Sequence, residues 1–170
     1  MFERVILGVD PGTSALGLAI VATRAGPRAS VIWWQTVRTP AALASSERLR
    51  RLSHAVRMAV EEHRPEAVAL ERLMWGKNIG SAMEVARASG AVMVVAAEAG
   101  IPVEEYAPLE VKMAVTGVGN ASKEQVRKAL GLLLGQAAVP TDPDAADAVA
   151  VALCHMHQSR LRRVAREAAR

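Results

Sequence analysis

Short apolar runs separated by turn residues open the chain, and longer helical patterns follow them. The runs at 5–10, 15–22 and 30–37 are rich in β-branched and other apolar residues, and turns containing Gly and Pro separate them. Connections this short join antiparallel neighbours, because a parallel crossover needs a dozen or more residues. The pattern therefore predicts three antiparallel strands at the start of a sheet.

A helix and a buried strand come next. Apolar residues recur at helical spacing from Leu49 to Val60, which predicts a helix over about 40–63. The run 67–70 is wholly apolar and ends at Glu71. It predicts a strand that is buried on both faces.

The segment 79–99 predicts a helix that is apolar nearly all round, with many Ala residues and few charges. A helix without a polar face is buried, either in the core of its own chain or against another subunit. Both readings stay open at this point.

The last part of the chain predicts one more strand and two more helices. The strand lies at 102–106, and Ser122 with Gln125 forms a capping box for a helix to about 134. Asp142 before Pro143 is typical of a helix N-cap, and that helix runs into a basic C-terminal end. The order of elements predicts an α/β fold with a five-stranded mixed sheet and helices on both faces. Ribonuclease-H-like domains share this order, although order alone does not fix the topology.

Composition sets limits on the class of protein. A length of 170 residues with 51% hydrophobic and 22% charged residues suits one folded domain over 1–170. The single cysteine, Cys154, excludes an internal disulfide, and no apolar stretch reaches the ~20 residues of a membrane span. We expect a soluble, cytoplasmic protein. Its 21 basic and 17 acidic residues give a net charge of +4, which favours a polyanionic partner such as nucleic acid.

Four carboxylates lie where solubilising charges are unusual. Asp10 ends the first predicted strand and Glu71 ends the fourth, while Asp144 and Asp147 share one face at the start of the last helix. If the two strands are neighbours, their ends bring Asp10 and Glu71 together. Clustered carboxylates suit Mg²⁺, and two such ions can catalyse phosphodiester hydrolysis.

Three of the carboxylates also have a simpler interpretation, whereas Glu71, directly after a buried strand, is harder to explain in that way. Asp10 is a common residue before a Pro-Gly turn, and Asp144 favours a helix N-terminus. Asp147 could be a solvated residue on the helix face. From spacing alone the set favours a metal site only moderately.

Several motifs together resemble the RuvC family of Holliday junction resolvases, the crossover junction endodeoxyribonucleases. They are Val-Asp-Pro-Gly-Thr at 9–13, Leu-Glu at 70–71, the segment 111–119, the start of the helix at Lys123, and Asp-Ala-Ala-Asp-Ala at 144–148. They stand in the family's order and spacing over about residues 5–157. The resemblance is therefore more specific than any one motif.

The resemblance implies a ribonuclease-H-like fold and a homodimer that nicks two strands of like polarity in a four-way DNA junction. It implies that Asp10, Glu71, Asp144 and Asp147 are catalytic and bind Mg²⁺, two ions in each site, with Mn²⁺ as an alternative. Lys112 and Lys123 would lie near the DNA backbone. The helix 79–99 would form the dimer interface, and the RuvA–RuvB branch-migration complex would be a partner.

The segment after the catalytic Glu departs from the family. Members often carry there an aromatic residue that stacks on a base near the branch point. This chain has Met74 at that position and Trp75 beside it, followed by Lys77 and Asn78 as further DNA-contact candidates. Either Trp75 substitutes for the usual aromatic residue, or the contact with the base is weaker. The alternative for Trp75 is a partly buried anchor of the fold. The C-terminal arginines either contact DNA or form a solvated helix end.

Three other classes of protein share parts of this pattern. Sugar kinases and actin-like ATPases also place an Asp-x-Gly-Thr loop after a first strand, but they need two such domains, and 170 residues are too few. A RuvC-like nuclease that acts on RNA shares the fold and the Asp-x-Gly start. A non-catalytic junction-binding module is the third alternative, and four intact carboxylates argue against it.

Overall fold

A five-stranded mixed sheet lies at the centre of the fold. The computed structural model describes residues 3–24, 28–73 and 79–168, with side chains except at 81 and 160–168. The strands are β1 (Arg4–Asp10), β2 (Ala15–Thr23), β3 (Ala29–Arg38), β4 (Ala67–Glu71) and β5 (Val103–Tyr106). Their order is β3-β2-β1-β4-β5. The first three strands are antiparallel, and β1, β4 and β5 are parallel, so the predicted mixed sheet is confirmed.

Helices cover both faces of the sheet, as predicted. They are α1 (Ser45–His63), α2 (Ile79–Glu98), α3 (Pro108–Thr116), α4 (Lys123–Leu134) and α5 (Pro143–Ala168). Leu7 and Val9 of β1 pack with α1 and α2, whereas Ile6 packs with α3, α4 and α5. This alternation along β1 is the period-2 pattern of a strand that is buried on both faces.

Three local features differ from the sequence prediction. The helix predicted from 40 begins at Ser45, because Leu43 donates a turn hydrogen bond to Pro40 and Ala44 has an extended backbone. Helix α3 was not predicted, although Pro108 is its first residue and Glu110 accepts a hydrogen bond from the Ala107 amide. A 3₁₀ turn at Gln136–Ala138 also follows α4.

Two glycines let α5 lie directly on the sheet. A β-carbon on Gly8 of β1 would stand 2.0 Å from the carbonyl oxygen of Ala148, and one on Gly17 of β2 would stand 2.0 Å from that of Asp144. No larger residue fits at either position unless the helix moves. The start of α5 is therefore held against the carboxyl end of β1.

Helix α2 is buried on one side only. Ala88, Val92 and Ala96 are fully buried against the body of the protein. On the other side Met83 is 50% exposed and Val94 is 58% exposed. The sequence predicted that this apolar helix is buried in its own core or against another subunit. In the single chain one side is buried, and the other side exposes apolar residues to solvent. Among the described residues, none of the helices combines the length and apolar character needed to cross a membrane.

Candidate active site

Asp10 and Glu71 end neighbouring parallel strands at the same edge of the sheet. Val9 pairs with Leu70 in the β1–β4 ladder, and the two carboxylates come directly after this pair. Asp10 lies two residues after Gly8, so its side chain projects toward α5, as the Gly8 position does. Ala69 packs in the same core as α5, which places Glu71 on that face too. The adjacency on which the sequence prediction depended is confirmed.

The start of α5 brings two further carboxylates to this edge. Oδ1 of Asp142 accepts hydrogen bonds from the amides of Asp144 (3.0 Å) and Ala145 (3.3 Å), so Asp142 is the predicted N-cap. Asp144 lies in the first turn of the helix, and Asp147 follows it on the same face. Because Asp144 packs over Gly17, which pairs with Asp10, both helix carboxylates face the strand ends.

The four carboxylates influence one another electrostatically. Burial raises the pKa of Asp10 to about 7, and the charges of Glu71, Asp147 and Asp144 add to the rise while Lys123 opposes it. Burial, followed by the charge of Asp147, also raises the pKa of Glu71. The ionised cluster is therefore unfavourable unless positive charge comes close to it.

Basic side chains supply part of that positive charge. Nζ of Lys123 lies 3.0 Å from Oδ2 of Asp147, and this hydrogen bond raises the pKa of Lys123. Nη2 of Arg38, at the end of β3, lies 3.4 Å from Oδ2 of Asp144. The charge of Lys112 on α3 lowers the pKa of Glu71, which offsets part of the rise caused by burial. Lys112 and Lys123, both singled out in the sequence, thus lie beside the carboxylates.

The donor set suits a hard divalent cation. Among the described residues, no three His, Cys, Asp or Glu side chains converge on one point, and Asp144 and Asp147 are paired instead with Arg38 and Lys123. The donors are carboxylate oxygens, which Mg²⁺ and Mn²⁺ prefer. Ionised Asp10 and Glu71, buried beside like charges, would gain from such a cation.

Comparison with known proteins decides the family. The sequence model of the family described as "Crossover junction endodeoxyribonuclease RuvC" matches residues 6–155. The chain belongs to the RuvC family. A relative with that description from Syntrophomonas wolfei is 42% identical over 156 residues, covering 92% of this chain and 90% of the relative. A second, from Moorella thermoacetica, is 43% identical over 151 residues, covering 89% of this chain and 90% of that protein.

A solved RuvC structure has the same fold. The structure described as T. thermophilus RuvC in complex with Holliday junction substrate matches with a TM-score of 0.88 at 37% identity, covering 94% of this chain and 96% of that one. The RuvC fold is ribonuclease-H-like, so the fold predicted from the sequence is confirmed. Nucleases of the RuvC family are metal-dependent.

Some candidate RuvC-family residues lie outside the part of the chain that the structure describes. They are Met74, Trp75, Lys77 and Asn78, between β4 and α2. The side chains of the C-terminal arginines from 160 onward lie outside it as well. Their contacts with DNA stay predictions from the sequence.

The sequence did not single out Thr36 and Arg38 of β3 as neighbours of the site. The hydroxyl of Thr36 donates to Oδ1 of Asp142 (2.5 Å), and Nη2 of Arg38 donates to Oδ2 (2.7 Å). Both residues lie more than a hundred positions before Asp142 along the chain. An exposed arginine at a strand end is common in proteins, so no local signal in the sequence could have marked Arg38 as a neighbour of the site.

Proposed function

We propose that this RuvC-family protein resolves four-way DNA junctions by metal-dependent nicking of two strands of like polarity. The observation that carries the proposal is the meeting of Asp10 and Glu71 at neighbouring strand ends, opposite Asp144 and Asp147 at the start of α5. The similarity to a RuvC that binds Holliday junction substrate supports the choice of DNA.

In this proposal the four carboxylates hold the metal. Asp10, Glu71, Asp144 and Asp147 would bind two Mg²⁺ ions, and Mn²⁺ could replace them. When bound, Mg²⁺ would supply the Lewis-acid chemistry of phosphodiester hydrolysis, which would leave 5′-phosphate and 3′-hydroxyl ends. The carboxylates of Asp144 and Asp147 are only partly buried, so they can leave Arg38 and Lys123 and turn toward a cation.

The lysines bind and neutralise phosphate in the same scheme. Lys123 has 82% of its side chain exposed, so its ammonium can reach a phosphate once it releases Asp147. Lys112, near Glu71, would act in the same way on the other side of the cluster. Met74 and Trp75 would contact bases near the branch point, and Lys77 and Asn78 the adjoining backbone.

Symmetric nicking requires two sites, and we assign the pairing surface to α2. The exposed apolar residues of this helix, Ile79, Met83 and Val94, would pair with their counterparts in a second copy to form a homodimer. Each copy of residues 1–170 then contributes one nuclease domain. In the cell we place the dimer in the cytoplasm, acting beside the RuvA–RuvB branch-migration complex.

The test compares a synthetic four-way junction with a linear duplex of matched sequence, each with Mg²⁺ and with a chelator. Paired, symmetric nicks in the junction alone, dependent on metal and lost in Asp10→Asn, are the expected result. Tight junction binding without nicks would favour a binding module instead. Equal cleavage of both DNAs, or of RNA in preference to DNA, would move the assignment to another ribonuclease-H-like nuclease.

A further inference from the structure

A buried arginine joins three parts of the fold behind the active site. Arg48, in the first turn of α1, is only 8% exposed. Its Nε donates to Oγ1 of Thr39 (2.9 Å) and its Nη2 to Oγ of Ser14 (2.9 Å), while Nη1 lies 3.4 Å from Oε2 of Glu84 on α2. Burying a guanidinium is unfavourable unless its donors are satisfied, and here each nitrogen has an acceptor.

Glu84 connects this cluster to the turn that follows Asp10. The hydroxyl of Thr13, a residue that is 4% exposed, donates to Oε2 of Glu84 at 2.7 Å. The hydroxyl of Thr39 in turn donates to the carbonyl oxygen of Thr13 (2.5 Å). The second carboxylate oxygen of Glu84 accepts from Arg87 at 2.6 Å. Thr13 is thus fixed through both its side chain and its backbone.

The position of this turn bears on Asp10. Asp10 is the last residue of β1, and the β1–β4 ladder pairs residues up to Val9 and Leu70. Beyond Asp10 the chain turns tightly, since a β-carbon on Gly12 would stand 2.5 Å from the carbonyl oxygen of Ala15. A tight turn with few free torsions transmits a shift at Thr13 to the strand end.

We propose that Glu84 and Arg48 are positioning residues for the metal site, acting on Asp10 through Thr13. The proposal rests on the proposed function in taking Asp10 as a metal ligand. Glu84 follows Met83 on α2, whose exposed apolar face is the one assigned to the dimer. A displacement of α2 would therefore pass through the Glu84–Thr13 hydrogen bond to the metal site.

Thr13→Val tests the hydrogen bond with little change in volume. We expect this variant to bind Mn²⁺ about 10-fold more weakly than wild type, the lower end of the effect of losing a direct partner of a metal ligand, because Thr13 acts on Asp10 only through the turn. Free Mn²⁺ would be measured by electron paramagnetic resonance with the full-length protein and no DNA. Thr13→Ser keeps the hydroxyl and should restore wild-type binding. Glu47→Gln is the control, because Glu47 forms exposed ion pairs with Arg50 and Arg51 on the same turn of α1.

A lower melting temperature with unchanged Mn²⁺ affinity in Thr13→Val would overturn the proposal, since a structural role alone predicts that result. If Thr13→Val does not fold, Glu84→Leu removes the acceptor of the same hydrogen bond from a partly exposed position and should weaken Mn²⁺ binding to a similar extent. Wild-type Mn²⁺ affinity in Glu84→Leu would also overturn the proposal.

The assay separates this proposal from the proposed function. A wild-type protein that binds Mn²⁺ through Asp10 but does not nick junctions contradicts the resolvase assignment and leaves the role of Glu84 intact. An active wild type whose Thr13→Val variant binds Mn²⁺ normally contradicts the role of Glu84 alone. If Asp10→Asn binds Mn²⁺ as wild type does, Asp10 is not a ligand and both proposals fail.

Discussion

Gly17 lies directly beneath the carbonyl oxygen of Asp144, so close that a β-carbon on Gly17 would stand 2.0 Å from that oxygen. The same glycine pairs with Asp10 in the β1–β2 ladder. One residue without a side chain therefore fixes the spacing between a strand-end carboxylate and the helix that carries two others.

Gly17→Ala should push the start of α5 away from the sheet. We expect a loss of about 1–3 kcal/mol in the free energy of unfolding, typical of overpacking, together with weaker Mn²⁺ binding and slower junction cleavage. Urea denaturation measures the stability, the Mn²⁺ titration measures the metal affinity, and the junction assay measures the cleavage rate. A variant with the stability and metal affinity of wild type would show that α5 does not need this close contact.

The raised pKa of Asp10 predicts a pH-dependent stability. Folding moves this pKa from 3.8 to about 7, so the contribution of Asp10 to stability is full below pH 3.8 and is lost as the pH rises toward 7. Asp10→Asn does not titrate, and in a chelator its stability relative to wild type should increase between about pH 4 and about pH 8, by at most about 4 kcal/mol.

Urea denaturation at the two pH values checks this prediction. Adding Mg²⁺ at the higher pH should stabilise the wild type and leave Asp10→Asn nearly unchanged, because the ionised carboxylate is the group that gains from the cation. A stability difference between the two proteins that stays constant with pH would contradict the burial of an ionisable group at this position.

Lys123 and Lys128 lie on the same helix and offer a matched comparison. Lys123 pairs with Asp147 at 3.0 Å, and Lys128 pairs with Glu124 at 2.9 Å on the exposed side of α4. We expect Lys123→Met to slow junction cleavage by about 100-fold, as expected for loss of a charge that stabilises a transition state. Lys128→Met should cleave like wild type.

Both lysine variants should change the free energy of unfolding by less than about 1 kcal/mol, because both ion pairs are exposed. Single-turnover cleavage with saturating protein measures the rate. Equal rates for the two variants would remove Lys123 from the catalytic site.

Asp142 caps α5 and also pairs with Arg38, and different substitutions separate these two functions. Asp142→Ala removes the N-cap of α5 and the partner of Thr36 and Arg38, which should cost about 0.5–2 kcal/mol of stability and displace Asp144. Asp142→Asn keeps the capping oxygen but loses the charge and the oxygen that accepts from Arg38, so it should retain most of the stability. Thermal unfolding measures the stability of each variant, and Mn²⁺ binding reports the displacement of Asp144. Identical behaviour of the two variants would show that capping is not what holds the start of α5.

The exposed face of α2 predicts the oligomeric state. Met83→Glu or Val94→Glu should convert a dimer of the 18.0 kDa chain into a monomer, because each places a charge in an apolar interface. Met58→Glu on α1, where Met58 is 48% exposed, is the control and should remain dimeric. Light scattering coupled to size exclusion gives the masses. A monomeric wild type, or variants that stay dimeric, would place the interface elsewhere.

Local sequence signals were enough for most of the sheet and for the carboxylates. The apolar runs that end at Asp10 and Glu71 are read directly from the chain, and Asp142 before Pro143 is a short-range capping signal. Side chains that follow a strand end or a cap are placed by the backbone of that element. Their positions could therefore be inferred before the tertiary contacts were seen.

Contacts between distant segments left no such signal. The hydrogen bond from Arg38 to Asp142 joins residues 104 positions apart, and that from Thr13 to Glu84 joins residues 71 apart. Hydrophobic periodicity carries no information about which polar residues meet across elements. The apolar character of α2 was visible, but which of its sides packs inward depends on where α1 lies.

Where α5 crosses Gly8 and Gly17, its contact with the sheet contains almost no rotatable bonds. Gly8 and Gly17 have no side chain, and Ala148 and Ala152, which pack over Gly8, end at a methyl group. Leucine or methionine at such a contact could change rotamer and allow several distances between the helix and the sheet. Here covalent geometry sets a single distance. The torsions left free around the proposed cation site are mainly those of the carboxylates themselves. Most of the conformational entropy of assembling the ligands is thus lost when the chain folds, before any metal arrives.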